Sequence, residues 1–350
     1  MSFGDIRREP VSRRRFLKSS ALTAASLALP IAPSRAASLK PVSLTLDWVY
    51  QGANAGFMVA REKGFYRDAG LNVSITAGKG SASTAQLVAA KACQVGFVDG
   101  YVVGNGDSKG MNIKAIGSIF RRNPCAIMVF EDSPIKTAKD LEGKTVAISA
   151  GSAVIQQLPA FCKGSGVDSS KVHIVNIDPA GIGPALITAK VDAIGAYVSS
   201  YVPTLEIRGK KSVRILWFSD AGVIAVSNGI TMHNDLIKSD PSLVRAFVSA
   251  TLKGFLYGRR HPDEAVAAVK TYQPTVDPAI THRELEVSWK LWLTPNTMGK
   301  PLGWGSQADW QSTTKVLHQY GGVTAPINPT ELFTNEFVPA GAEYIPPQGA

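Results

Sequence analysis

The 350-residue chain is 45% hydrophobic and 18% charged, the composition of an ordinary folded protein, which excludes a disordered chain. Its length fits one large or two medium domains. The formal charge of +10 invites an acidic partner, but residues 1–36 hold seven Lys/Arg against two Asp/Glu, so the remainder falls to +5 and calls for no nucleic acid.

The chain opens on a segment of its own kind. Ser12–Lys18 reads Ser, Arg, Arg, Arg, Phe, Leu, Lys, then comes a small-residue apolar stretch over 19–32, then Ser34-Arg35-Ala36. That order predicts a twin-arginine export signal over 1–36, cleaved near Ala36 by the export route and kept out of any fold reasoning. None of the three cysteines, Cys93, Cys125 and Cys162, follows the apolar stretch, so no lipid anchor is expected. All three sit among apolar or small neighbours and read as buried thiols. Past Ala36 no apolar run reaches the roughly 18 residues of a membrane span. The expectation is a periplasmic protein of a bacterium.

From there strands and helices alternate. Strands are predicted over 44–47, 71–76, 95–99 and 113–120, with a helix over 53–63 ended by Gly64 and another opening at "GKGSAST". A second set starts near Ala126. Its strands cover 126–130, 145–149, 172–177, 191–197 and 213–218, with helices over "SAVIQQLPAFCKG" and 183–190. From Gly229 the pattern turns mainly helical, and Asp240-Pro241 is a strong helix start. Short buried strands alternating with helices predict an α/β protein with mostly parallel sheets in two lobes. Ligands of such folds sit at the carboxyl ends of strands, beside helix N-termini.

Those strand ends carry the candidate site. The first strand stops at Asp47-Trp48, ahead of Tyr50, Gln51 and Asn54. Asp47 either accepts from a ligand nitrogen or caps the helix that follows. "AGKGSAST" supplies Ser81, Ser83 and Thr84 at a helix start, and reads either as a cradle for an anion or carbonyl, or as a well-capped helix. "SAGSAV" contributes Ser152 and "DPAGIGP" contributes Gly181 by the same logic. Trp48, Tyr50, Tyr101, Tyr197 and Tyr201 lie in or just after strand-end loops, and Asp99 ends the third strand. Flat rings around a few polar groups suit a heteroaromatic solute. Signatures of enzymes are missing: no Gly-x-Ser-x-Gly, no His-Glu-x-x-His, no Cys-x-x-Cys, and "GKT" at 143–145 lacks the first glycine of a phosphate loop. No cofactor or metal is therefore expected.

Several stretches together resemble a known family, the periplasmic substrate-binding proteins of bacterial ABC importers for nitrate, sulfonates, taurine, thiamine pyrimidine precursors and riboflavin. They are "LTLDW", "ANAGFMVAREKGFYRDAGLNVSI", "GSASTAQLVAAKACQVGFVDG", "SPIKTAKDLEGKTVAIS", "LITAKVDAIGAYVSSYVPTLE" and "DWQSTTKVLHQYGGVTAPINPTELFTNEFVP". The likeness covers 41–339. It implies a two-lobed type II periplasmic binding protein, each lobe a mainly parallel sheet flanked by helices, joined by two crossing strands near 124–130 and 225–230. Lobe one would span 37–127 and 228–340, lobe two 128–227, with a tail at 341–350. It implies a monomeric receptor that hands its solute to a permease and its ATPase. The Asp-Trp opening looks most like the thiamine-precursor branch, in which Trp48 would stack on a pyrimidine and Asp47 would bond its nitrogens. A sulfonate, taurine or nitrate receptor is the alternative, against which a carboxylate at Asp47 speaks. The cysteine-rich motif of pyrimidine-synthesising relatives is absent, which weighs against an exported enzyme.

Overall fold

The computed structural model describes Met1 and residues 38–341; the expected export signal and the last nine residues lie outside the described residues. Among the described residues ten strands form two five-stranded sheets. The first holds β1 (Lys40–Thr45), β2 (Leu71–Thr76), β3 (Val95–Asp99), β4 (Ile113–Ser118) and β10 (Asn228–His233), in the order β2-β1-β3-β10-β4. The second holds β5 (Cys125–Phe130), β6 (Thr145–Ile148), β7 (His173–Asn176), β8 (Ala193–Tyr197) and β9 (Val213–Trp217), in the order β7-β6-β8-β5-β9.

The sheets are mixed, and the exception has one cause. β1 runs parallel to β2 and β3, and β6 parallel to β7 and β8. β10 is antiparallel to both its neighbours, as is β5 to its own. These two strands are the ones reached by crossing from the other sheet. The parallel strands end at the cleft between the sheets. A chain arriving across the cleft enters its new sheet at that same edge and must run the opposite way. The passages themselves are 119–124 and 218–227, and both expected crossing segments reach into the sheets beyond them.

Burial explains the patterns. β3 and β5 lie inside their sheets and are buried along nearly their whole length, whereas edge strand β2 alternates buried and exposed residues. Helices of two turns or more are numbered α1 (Ala55–Glu62), α2 (Ser81–Ala89), α3 (Gly100–Asp107), α4 (Ala153–Ser165), α5 (Pro179–Ile187), α6 (Val198–Gly209), α7 (Pro241–Arg260), α8 (Pro262–Tyr272), α9 (Pro278–Trp289) and α10 (Gln307–Tyr320). The core of the first sheet gathers Phe57, Phe97, Phe255 and Trp292 from β3, α1, α7 and the loop after α9. α10 packs on α3 and also meets α4, and α9 lies against α6.

Several expectations shift. The first strand begins at Lys40 and ends at Thr45, so Asp47 and Trp48 lie beyond it. The helix expected from Ala53 starts with a single 3-10 turn at Gly52–Asn54 before α1. The helix expected over 183–190 is α5, starting at Pro179. Neither α3 nor α6 is among the elements expected from the sequence. Pro159 sits inside α4 without ending it.

Candidate functional site

Four strand-end loops meet between the sheets and line a cavity of about 330 Å³, space open to solvent included. The loop after β1 brings Asp47 and Trp48, the first turn of α2 brings Ser81, and the start of α4 brings Ser152, Ala153 and Val154. The β8–α6 junction brings Gly195, Ala196, Tyr197, Ser200 and Tyr201. No lysine, arginine or histidine is among these lining residues.

Each loop is held by an identifiable bond. Asp99 N donates to Ser81 Oγ at 2.9 Å, and Ser152 Oγ donates to Ser149 O at 2.7 Å while accepting from Ile155 N at 3.3 Å. The second loop of the first sheet and the first loop of the second sheet touch across the cleft. Ala82 N donates to Gly151 O at 3.0 Å. Gly80, at φ +138°, leaves no room for a side chain there, because a Cβ would collide with that same carbonyl. Trp48 also crosses over: it packs in the apolar cluster of the second sheet with Met128, Ile182, Ile194 and Tyr201, edge-on to the Tyr201 ring at 6.4 Å. Beside it Gln51 Nε2 donates to Ser200 Oγ at 3.0 Å.

Asp47 is the chemically unusual member. It is buried, and its Oδ1 has no hydrogen-bond partner. Burial first, and the charge of Asp99 to a lesser degree, push its carboxyl up to about 7; its own backbone and the amides of Asn228 and Asn54 pull the other way. An unpartnered buried carboxyl costs free energy until something supplies a hydrogen or it keeps its own proton. Capping is not its job. The turn after it is closed by Asn54, whose Oδ1 accepts from Gln51 N at 3.2 Å and whose Nδ2 donates to Val49 O at 3.1 Å.

The expected residues divide into two groups. Asp47, Trp48, Ser81, Ser152 and Tyr197 line the cavity. Asn54, Ser83, Thr84, Asp99, Tyr101 and Gly181 do not, each for a local reason. Asn54 closes the turn. Thr84 Oγ1 donates to Leu46 O at 2.8 Å, fastening α2 to the first strand. Ser83 sits over Gly151 on the interloop contact. Tyr101 enters the core because a helix begins at Gly100 and turns it inward. Gly181 lies in the first turn of α5, outside the cavity wall. Asp99 caps α3 by accepting from Tyr101 N at 2.9 Å, and it lies beneath Tyr197, which approaches its Oδ2 at 2.8 Å. Burial raises Asp99 to about 6 despite donors from Tyr197, Ser227 and two backbone amides.

Residues absent from the candidate list complete the arrangement. Tyr201 and Ser200 line the cavity from the first turn of α6, and Asn228 and Ser227 lie behind Asp47 and Tyr197. A wider outer pocket of about 670 Å³, open to solvent, shares Trp48, Ser200 and Tyr201 and adds Tyr50, Arg208 and Glu284. Glu284 Oε2 accepts from Gly52 N at 2.7 Å, and burial pushes its carboxyl up to about 8. The Tyr201 ring was visible in the sequence as a strand-end aromatic. Asn228 and Glu284 gave no local signal. Among the described residues no group of three His, Cys, Asp or Glu side chains could hold a metal ion.

The sequence profile described as "NMT1/THI5 like" matches residues 51–265. The chain is 27% identical over 327 residues to the riboflavin-binding protein RibY of Chloroflexus aurantiacus, covering 91% of this chain and 92% of that one. It is 24% identical over 304 residues to the formylaminopyrimidine-binding protein of Halalkalibacterium halodurans, covering 85% and 91%. Among solved structures, the alkanesulfonate-binding protein SsuA of Xanthomonas axonopodis pv. citri, bound to MOPS, has the same fold. Its TM-score is 0.64 at 14% identity, covering 85% of this chain and 99% of that one.

Proposed function

This chain belongs to the NMT1/THI5-like family, and we propose that it is an exported solute receptor that binds a small heteroaromatic compound between its two sheets, a thiamine pyrimidine precursor before others. One observation carries the ligand class. Asp47 places a buried carboxyl, its Oδ1 without a partner, in a cavity that also holds three aromatic rings and no cationic side chain. A ring with an N–H donor satisfies all of it. Trp48, Tyr197 and Tyr201 give apolar surface to a flat ring, Asp47 accepts its N–H, and Ser81, Ser152 and Ser200 supply hydroxyls.

The space between the four loops is tight, which favours a single substituted ring over a larger ligand. A flavin would have to extend past Trp48 and Gln51 into the outer pocket. An anion such as a sulfonate or nitrate would meet Asp47, with Asp99 beneath the floor, and no lysine or arginine in the cavity wall to offset them.

In this reading the sheet of β1–β4 and β10 with α1–α3 and α7–α10 forms lobe one, and the sheet of β5–β9 with α4–α6 forms lobe two. The solute favours the closed arrangement because it touches both. The receptor acts as a monomer, without covalent chemistry or cofactor, and delivers the solute to an ABC permease and its ATPase. The twin-arginine segment takes it to the periplasm.

Thermal unfolding of ligand-stripped protein against a formylated aminopyrimidine, riboflavin, an alkanesulfonate and nitrate tests the proposal. At a hundredfold excess over Kd a true ligand adds about 2.7 kcal/mol, a shift of several degrees. The aminopyrimidine should give the largest shift. A shift with the sulfonate or nitrate alone would sink the ligand class.

A further inference from the structure

We propose that Ser81 and Ser200, one beside each sheet, are the hydroxyl donors by which the cavity recognises its solute, which therefore carries at least two acceptors, ring nitrogens or a carbonyl, besides its N–H. The choice of solute rests on the receptor reading above; the state of the two hydroxyls rests on the hydrogen bonds of the protein alone.

A hydroxyl has one proton to give and two lone pairs on which to receive. Five hydroxyls line the cavity, and the neighbours of each decide what it has left for a solute. Three have spent their proton. Ser152 Oγ donates to Ser149 O at 2.7 Å, and Tyr201 Oη donates to Pro179 O at 2.6 Å. Tyr197 Oη lies 2.8 Å from Asp99 Oδ2 and 2.8 Å from Asn228 Oδ1, so its proton stays beneath the floor. These side chains bring rings and lone pairs to a solute, and no hydroxyl donor.

Ser81 and Ser200 are held the other way round, by bonds they receive. Asp99 N donates to Ser81 Oγ at 2.9 Å, and Gln51 Nε2 donates to Ser200 Oγ at 3.0 Å. Among the described residues neither hydroxyl has an acceptor for its own proton. The incoming N–H fixes each oxygen and leaves its hydrogen free to turn into the cavity. Both residues are buried, at 3% and 7% exposure, and a buried hydroxyl with nothing to donate to costs free energy. An acceptor on the solute removes that cost.

The two donors face the solute from different sheets. Ser81 opens α2 beside the first sheet, and Ser200 lies in the first turn of α6 beside the second. A solute with an acceptor for each is held from both sides. A ring with an N–H and no acceptor meets Asp47 Oδ1, which has no partner, and leaves both hydroxyls bare. Such a ring is rejected for the groups it fails to satisfy.

Neutron diffraction of ligand-free crystals grown in heavy water reads the hydroxyls directly. The Ser81 and Ser200 deuterons should point into the cavity, and those of Ser152 and Tyr201 should rest on Ser149 O and Pro179 O. A Ser81 or Ser200 deuteron resting on a protein acceptor overturns the proposal. Calorimetry with a formylated aminopyrimidine reads the recognition. Ser81→Ala and Ser200→Ala should each raise Kd about 2- to 13-fold, the net worth of one neutral hydrogen bond. Each serine also steadies a neighbouring loop, so both variants are titrated with analogues in which one ring nitrogen becomes C–H or the formyl group is removed. Each variant's loss should vanish against the analogue that lacks its partner acceptor. A loss equal for every analogue is a packing effect and overturns the proposal, as does an unchanged Kd. If the unmodified protein binds no such ring, the solute reading fails, and the neutron map still decides the hydroxyls.

Discussion

Replacing Asp47 with Asn should make the ligand-free protein more stable, by an amount that depends on pH. Burial holds the Asp47 carboxyl at about 7 in the folded protein against 3.8 when unfolded. Between those values the native state keeps a proton that the unfolded chain has released. Unfolding free energy therefore falls as pH rises through this window, by about 1.4 kcal/mol per unit. Over roughly three units the loss approaches 4 kcal/mol, complete above about pH 7. Asparagine cannot ionise and has the same outline, so it escapes the loss. The gap between variant and parent should widen in favour of the variant from pH 4 to pH 8. Urea unfolding of both proteins, stripped of ligand and followed by circular dichroism at four pH values, measures this. Parallel pH curves, or an Asn variant that is the weaker at pH 8, would refute the reasoning, because Asp47 would then be solvated or paired.

Other substitutions probe the rest of the site. Trp48→Ala should weaken an aromatic solute by about 1–3 kcal/mol, roughly 5- to 150-fold in Kd by calorimetry; an unchanged Kd would make Trp48 a packing residue of the interlobe contact. Tyr197→Phe removes a hydroxyl from both Asp99 and Asn228, and should cost about 1–3 kcal/mol of stability in urea unfolding, with Asp99 titrating higher. Gly52→Ala drives a methyl into the Thr281 carbonyl of α9, so it should destabilise the protein by about 1–3 kcal/mol and loosen the loop that bears Trp48. Cys93, Cys125 and Cys162 are buried free thiols with upward-shifted pKa values, so a thiol reagent should label none of them quickly at pH 8 and all three after unfolding.

Much of the fold could be read along the chain because its strands are short and rich in β-branched residues, most of them buried on at least one face, and its turns are marked by glycine; β7, exposed along its length, was still legible by its β-branched run. α3 escaped because "GYVVGNGD" carries three glycines, each costing about 1 kcal/mol in a helix. The fold needs at least one of them: a Cβ on Gly104 would collide with Leu317 of α10. That hidden helix also explains Tyr101, which a loop would have exposed and a helix buries. α6 has Pro203 and β-branched valines, and it forms where the second sheet and α9 cover it. Asp47, Trp48, Ser81, Ser152 and Tyr197 were legible as cavity residues because each lies at or just past the end of a strand, or at the start of a helix, on the cleft edge. Asp99 shared that position, yet its side chain caps its own helix and turns beneath the floor. Asn228 lies 181 residues from Asp47, and only the crossing of the chain between the sheets brings them together.

The central claim is that the cavity takes a nitrogen heterocycle with a free N–H. Mass spectrometry of small molecules released by denaturing the natively purified receptor tests it most directly. One equivalent of an aminopyrimidine or a related uncharged ring compound is the expected result. A stoichiometric sulfonate or nitrate in its place would contradict it.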